Sequence, residues 1–353
     1  MYTKPRYSLK DMAAWTRMDT MVFLAIAVVP VILYEVLGLK WLHVPWLPVA
    51  LIGTAVAFLI GFQNNASYDR VWEARKIWGG IVNASRAWGI MVKKFISNEA
   101  AKEKASDAEL ASIRKELIFR HIAWLTALRH AMRQERPWEV HLRNRTNREW
   151  AERIGVREHR FSVEEELSPY LSEEELVYIG PKSNKPTQIL SLQATELREL
   201  TMRGLIKDFH DMEMDRTLVA LYALQGQSER IKNFPYPRQY GTLISIFLWL
   251  FIIFVPFGVM FEFHRIGEAL QASHPLVGTH FVWLSVPFSA MVMWIFHTME
   301  RIGRASENPF EGTSLDVPIT TISRGIEIEL REMFDEDPAL IPSPIEPQHD
   351  TQT

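Results

Sequence analysis

Apolar residues along the chain are gathered into four long runs, one pair near each end, and the stretch between the pairs is densely charged. The first run, Met21 to Leu39, is broken by Pro30 and by Glu35 near its end. The second is Leu47 to Phe62, and Asn64 and Asn65 continue it as helix that need not stay in lipid. The third covers Tyr240 to Phe263; the fourth, Leu276 to Phe296, carries Trp283 and Trp294. Each approaches the ~20 residues that cross ~30 Å of hydrocarbon at 1.5 Å per residue. They are apolar all round, whereas a buried helix of a soluble protein is usually shorter and keeps a polar stripe. The pattern therefore predicts an all-α membrane protein with spans at about 21–39, 47–63, 240–263 and 276–297. Only Lys40 to Trp46 separates the first two, room for a turn between antiparallel helices. The polar stretch before Met21 is long and no small-residue cleavage site follows the run, which argues against a signal peptide.

Charge placement orients the spans. Lys4, Arg6, Lys10 and Arg17 precede the first, Arg70, Arg75 and Lys76 follow the second, Arg230, Lys232 and Arg238 precede the third, and Arg301 and Arg304 follow the fourth. The outer loops hold only Lys40 with His43, and His264 with Arg265. Positive charge stays on the cytosolic side, so both termini and the middle are expected there.

The cytosolic region, 68–238, is expected to be helical. Val71 to Phe95 continues the second span without a break, and Ala111 to Arg133 places Ile113, Leu117, Ile118, Ile122, Leu125 and Leu128 at helical spacing before Pro137 interrupts. Glu139 to Glu175 is expected to be the least structured part, with helix returning over Ile189–Leu205 and Phe209–Ile231. Two units follow: residues 1–334, holding spans and cytosolic helices, and a Pro-rich tail, 335–353, that should be extended, either disordered or draped over a neighbouring surface.

The chain has no cysteine, which removes disulfides, thiolate metal sites and cysteine nucleophiles together. A net charge of -3 suggests no nucleic-acid partner. No phosphate-binding glycine loop, HExxH pair, GxSxG elbow or EF-hand loop is present. His297, near the cytosolic end of the fourth span, fits structure better than ligation. The acidic pairs Glu164–Glu166 and Glu173–Glu175 are expected to be solvated helix faces. No catalytic residue, cofactor or metal is expected.

One face of the second span is suggestive. Thr54, Phe58 and Phe62 follow at i, i+4 and i+8, one above another over roughly 12 Å of helix. Gly53, Ala55, Ala57 and Gly61 flank them and permit close packing. The same spacing would serve packing against a neighbouring helix or lipid. The switch to Gln63, Asn64, Asn65 and Ser67 fits a hydrophobic constriction opening into a wet vestibule, with Asn64 and Asn65 at its entrance.

Two stretches carry a family resemblance. Gly61 to Gly79 (GFQNNASYDRVWEARKIWG) leads straight out of a span, and Met299–Gly303, Glu307–Phe310 and Leu315–Pro318 follow the last one. With Val255-Pro256-Phe257 and Val286-Pro287-Phe288 in the third and fourth spans, the chain resembles the bestrophin family, in its bacterial branch, over Tyr7 to about Met333. Gln63 stands where the family commonly has Arg, and Glu311-Gly312-Thr313 replaces a Gly that usually follows Pro-Phe. Animal members open a calcium-clasping run of aspartates at this turn. Here only Asp316 is acidic among Thr313 to Asp316, and calcium prefers several carboxylates.

The resemblance implies a homopentamer in the bacterial inner membrane, multi-pass, with a central pore lined by the second span. Thr54, Phe58 and Phe62 then fall on the neck positions, and Phe209 is the best candidate for a second constriction at the cytosolic exit. No acidic ring marks the neck, so monovalent anions such as chloride are favoured. The alternatives are a cation-conducting homologue and a secondary transporter. The latter would show internal repeats or charges at mid-membrane, and Glu35 and Glu262 lie near span ends.

Overall fold

The structure, a computed structural model, describes residues 1–139 and 144–353. The segment 140–143, part of the stretch expected to be least structured, lies outside the described residues. The described residues form helices joined by turns, with isolated bridges at the termini.

Among the described residues, four helical stretches are long and apolar enough to cross a membrane. Helix α1 spans Leu9–Val31, capped by Ser8, whose side chain accepts from the Asp11 amide, and runs into a π-turn at Ile32–Val36. It starts a dozen residues before the apolar run, because Ser8 accepts a free amide of its first turn and Asp11 places negative charge there. Pro30 lies in its last turn and lacks an amide to donate, and the hydrogen-bond ladder loosens there. Helix α2 runs unbroken over Trp46–Phe95, about 75 Å at 1.5 Å per residue. Helix α9 covers Arg238–Leu270 with Pro256 inside.

The fourth span differs from expectation. Residues Pro275–His280 form a short helix, α10, Phe281–Leu284 a 3-10 turn, and only Ser285–Ala305 the continuous helix α11. Pro287 sits in the first turn of α11, the place where a missing amide is tolerated. The run therefore splits before the proline, and α11 extends past the predicted end.

The other helices are α3 (Asp107–Arg133), α4 (Arg145–Ile154), α5 (Val163–Leu167), α6 (Glu173–Ile179), α7 (Lys185–Met202), α8 (Asp208–Asn233) and α12 (Ile319–Met333). The expectation of little structure between Glu139 and Glu175 is corrected by α4, α5 and the start of α6. Capping boxes hold two of them: Ser162 exchanges bonds with Glu165, and Ser172 with Glu175. Glu166 is no solvated face. It is buried and receives Arg129 at 2.7 Å, His130 at 2.6 Å, and Arg157. Glu175, half-buried by its ring of contacts, takes Arg120 at 2.7 Å.

Two large apolar cores form among the described residues, beside a small one of Val31, Tyr34, Met260 and Val282. One lies among α1, the first half of α2, α9 and α11, around Phe23, Val56, Ile60, Phe251, Val255 and Met293. The other lies among the second half of α2 and α3, α7, α8 and α12, around Trp78, Trp88, Trp124, Leu128 and Leu197. Trp124 also donates to Gln225 on α8 at 2.9 Å, and truncating such a residue costs about 3–5 kcal/mol. Helix α2 belongs to both cores. The buried positions on it between Ile60 and Ala74 are Gln63 and Ser67, so a polar belt separates membrane and cytosolic halves. The tail lies against its own chain: Lys4 pairs with Asp350 at 2.6 Å, and the Thr321 amide donates to Thr353 at 2.8 Å.

Candidate functional site

Helix α2 presents two unlike faces. Val49, Gly53, Val56, Ile60, Gln63 and Ser67 are buried against α9 and α11. Gly53 is needed there, since an added Cβ would come 2.5 Å from the Phe251 ring. Gly61, also expected to serve packing, faces open space. On the opposite side the exposed positions follow helical spacing: Leu51, Thr54, Phe58, Phe62, Asn65, Asp69 and Trp72. Phe58 is 66% exposed and Phe62 56%, and their rings meet edge to face at 4.5 Å. The Thr54 hydroxyl turns back to the Ala50 carbonyl, 2.9 Å away, so its methyl shares the outward side.

The polar continuation of the span divides between these faces. Asn65 is exposed on the line of Phe62, and Asp69 one turn below it is exposed without an ion-pair partner among the described residues. Gln63 and Ser67 are fully buried, and Asn64 turns its carbonyl toward α11, where a Cβ on Gly303 would lie 2.1 Å from it. The grouping of Gln63, Asn64, Asn65 and Ser67 as one wet lining is corrected to this extent: on a 3.6-residue helix, neighbours in sequence point ~100° apart.

What Gln63 meets is a network that sequence reasoning missed. Its amide donates to Glu307 at 3.3 Å, and Arg238 reaches the other Glu307 oxygen at 3.2 Å. Arg70 donates to the Glu307 carbonyl at 2.7 Å and to the Ile231 carbonyl at 2.9 Å. Glu307 is 2% exposed, and burial raises its carboxyl above the ordinary value despite Arg238 and Arg304 nearby. One cluster thus joins α2, the end of α8, the start of α9 and the turn after α11. Both Arg70 and Glu307 stand in the motifs read from sequence; their meeting across 237 residues has no local signal.

The turn after α11 carries a second cluster. Both oxygens of Asp316 accept from Thr313, from its amide and its hydroxyl, each at 2.8 Å. The Asn308 amide donates to Glu311 at 2.9 Å. Burial, with Asp316 and Glu139 close by, pushes the Glu311 carboxyl well above the ordinary range. Lys232, 1% exposed, pairs with Glu139 and supplies a fixed cation here. Among the described residues no group of three or more His, Asp or Glu side chains is arranged to hold a metal ion.

Phe209 lies at the opposite end of α2. It opens α8, is 82% exposed, and precedes His210, whose ring stacks on Phe95 at 4.0 Å. From Phe62 to Phe95 is about 50 Å of helix. His297 packs edge-on against Phe23 and Trp249, its Nδ1 3.9 Å from Asp19.

Four apolar helices beside a helical polar layer, sharing one 50-residue helix, define a multi-pass α-helical integral membrane protein. The comparisons narrow this. The chain belongs to the bestrophin family: the model described as bacterial/fungal bestrophin protein matches residues 15–332. It is similar to the voltage-dependent anion channel-forming protein YneE of Escherichia coli K12, 27% identical over 90% of this chain and 85% of that protein. It is also similar to the voltage-dependent anion channel-forming protein RSc3414 of Ralstonia nicotianae, 26% identical over 83% and 82%. Among solved structures, a bacterial bestrophin homologue from Klebsiella pneumoniae shares the fold, with a TM-score of 0.66, 22% identity, and 90% of this chain against 98% of that one.

Proposed function

We propose that this chain is one subunit of an anion channel and not an enzyme, five copies closing a ring about α2. The observation that carries the reading is the exposed pair Phe58 and Phe62 on the α2 face that α9 and α11 leave open. A lipid-facing stripe would stay apolar to the membrane edge and end there. This one continues along the same line into Asn65 and Asp69, which suits an apolar constriction leading into a wet cavity. Thr54, Phe58 and Phe62 form the neck, Asn65 the entrance to the vestibule, and Phe209 the far constriction. Asn64, turned toward Gly303, supports the vestibule wall from behind. The names of the two relatives, both anion channel-forming proteins, favour anions, and monovalent ones suit a neck without fixed charge. Residues 1–334 act as one channel unit with 335–353 as a strap, in the inner membrane with both termini cytosolic.

Asp69 favours a second reading. Five exposed carboxylates below the neck would concentrate cations, so a cation-conducting channel is the rival. Native mass measurement of the purified protein, then bilayer recording in asymmetric potassium chloride, tests both. A pentamer whose current reverses near the chloride potential is expected. Reversal near the potassium potential, moved toward chloride by Asp69→Asn, would establish the rival. A monomer or dimer would overturn the ring.

A further inference from the structure

A cavity of about 240 Å³ opens where the base of α1, α4, the end of α11 and residues 313–315 meet. Its walls include Tyr7, Trp15, Trp150, Ile302 and Leu315, with Asp11 as the one charged residue lining it among the described residues. The aromatic wall is held in place. Trp15 donates its indole N–H to Asn147 at 2.8 Å, and the Arg301 guanidinium lies 4.1 Å over its ring. Arg301 in turn donates to Thr146 at 3.1 Å and Asn147 at 2.9 Å, which locks α4 to α11.

The position of the cavity identifies the ligand's surroundings. Trp15 precedes Met21, the start of the first apolar run, by six residues, and Ile302 follows Phe296, the end of the fourth, by six. Both are therefore about 9 Å beyond the hydrocarbon, at the depth of lipid headgroups. Tyr and Trp favour that layer because one end of each ring system is apolar and the other wet.

Charge identifies the ligand's sign. Arg6 just before α1, Lys10 on α1, and Arg148 and Arg153 on α4 are exposed around the cavity and not in its lining, Arg153 bordering the adjoining recess beside Trp150, and none has an ion-pair partner among the described residues. Of the acids nearby, Glu149 is paired with Arg17 and Arg145, whereas Asp11 takes only the neutral Ser8 hydroxyl and keeps its charge, so the cations outnumber the free acids without being unopposed. Glu152 alone is exposed and unpaired on α4. An apolar, aromatic slot beside surplus cations at headgroup depth matches an amphiphile with a negative head. Basic pockets between transmembrane helices on the cytosolic side bind anionic headgroups by this logic.

We propose that this cavity binds one anionic phospholipid of the leaflet facing the basic loops, the phosphodiester on Arg148, Arg153 and Lys10, the glycerol and upper acyl chain against Trp15, Trp150 and Ile302. The site is independent of the pore assignment, because it requires only that α1 and α11 cross the membrane.

Native mass spectrometry of the detergent-purified assembly tests this with phosphatidylglycerol and phosphatidylcholine of the same acyl chains. Phosphatidylglycerol should be retained preferentially. The double variant R148Q/R153Q changes exposed side chains only, and should lower the preference roughly ten-fold or more. R148K/R153K should keep it. Ile302→Trp, which fills the slot, should reduce retention of both lipids. Equal retention of the two lipids, or an unchanged preference in R148Q/R153Q, overturns the proposal. Glycerol phosphate displacing phosphatidylglycerol at equal concentration overturns it too, since the site would then take a free anion.

Discussion

Gln63 donates its side-chain amide to Glu307 across 3.3 Å, tying the residue next to Phe62 to the turn after the fourth span. Both side chains are almost wholly buried, Gln63 at 0% and Glu307 at 2% exposed. The bond crosses the polar belt between the two apolar cores, which makes it the direct link by which the cytosolic layer would act on the proposed neck. A hydrogen bond to a charged group contributes about 1.5–3 kcal/mol. Q63A and E307A should each shift open probability in the same direction. The double variant should do no more than E307A alone, because Gln63 acts through Glu307, which also holds Arg238. Additive effects in bilayer recordings would show that the pair transmits nothing.

Acid should weaken the cytosolic layer in two steps of the same sign. His121 is 1% exposed, bonds Ser85 at 2.9 Å, and is lowered by burial from 6.5 to about 3. Its stabilising contribution is present above 6.5 and is lost as pH falls through the window down to about 3, because the unfolded chain takes the proton first. By pH 4.5 that amounts to about 2–3 kcal/mol. Glu158 and Glu166 behave alike lower down. Burial opposes their ionisation, but Arg133 and Arg129 beside Glu158, and His130, Arg129 and Arg157 beside Glu166, hold both at about 2. Their contribution is lost as pH falls from 4.5 toward 2. His121→Gln should flatten the thermal-midpoint profile between pH 6.5 and 4.5 and leave the lower step. An equally steep profile in the variant would assign the loss to other groups.

The membrane half was legible in the sequence because its runs are apolar all round, a pattern with no soluble equivalent. The exposed face of α2 was legible for a similar reason, since Thr54, Phe58 and Phe62 repeat along one side and all three are exposed. What failed was the step from adjacency to shared environment. Gln63 follows Phe62 directly yet lies fully buried toward α9 and α11. The acidic run Glu164–Glu166 reads as the solvated first turn of a helix, and for Glu164 and Glu165 it is. Glu166 is drawn inward by Arg129 and His130, some 36 residues upstream, and by Arg157. Nothing local in sequence announces a partner at that separation. The start of α11 was misplaced because hydropathy cannot see that Pro287 suits a first turn and not a helix interior.

Calcium should not be needed for opening. Asp316 has both oxygens occupied by Thr313, and the buried Lys232 ammonium already stands by Glu139. Currents in chelator and in micromolar calcium should coincide. Lys232→Met removes the fixed cation and leaves Glu139 and its acidic neighbours uncompensated, a change that costs about 3–5 kcal/mol in a buried pair. Calcium added to that variant should recover part of the lost thermal stability, while leaving the parent unchanged. Calcium-steep currents in the parent would show that backbone carbonyls around Asn308 supply a site.

The neck gives the sharpest test, because volume loss there should increase function. Phe58 and Phe62 touch each other edge to face and are otherwise largely exposed in the single chain. Replacing an exposed ring by Ala removes little of the subunit's own packing, so it should cost well below the about 3–5 kcal/mol of a core Phe→Ala change. In the proposed ring of five, each replacement would widen an apolar constriction and lower a dewetting barrier. Phe58→Ala and Phe62→Ala should therefore raise conductance or open probability, each in pentamers of near-normal stability. Thr54→Ala should do less, as the Thr54 hydroxyl already turns back to the Ala50 carbonyl. Helix packing alone predicts the reverse order, a loss of stability with no gain in current. Folded pentamers with unchanged currents in both Phe variants would place the constriction elsewhere on α2 or at Phe209.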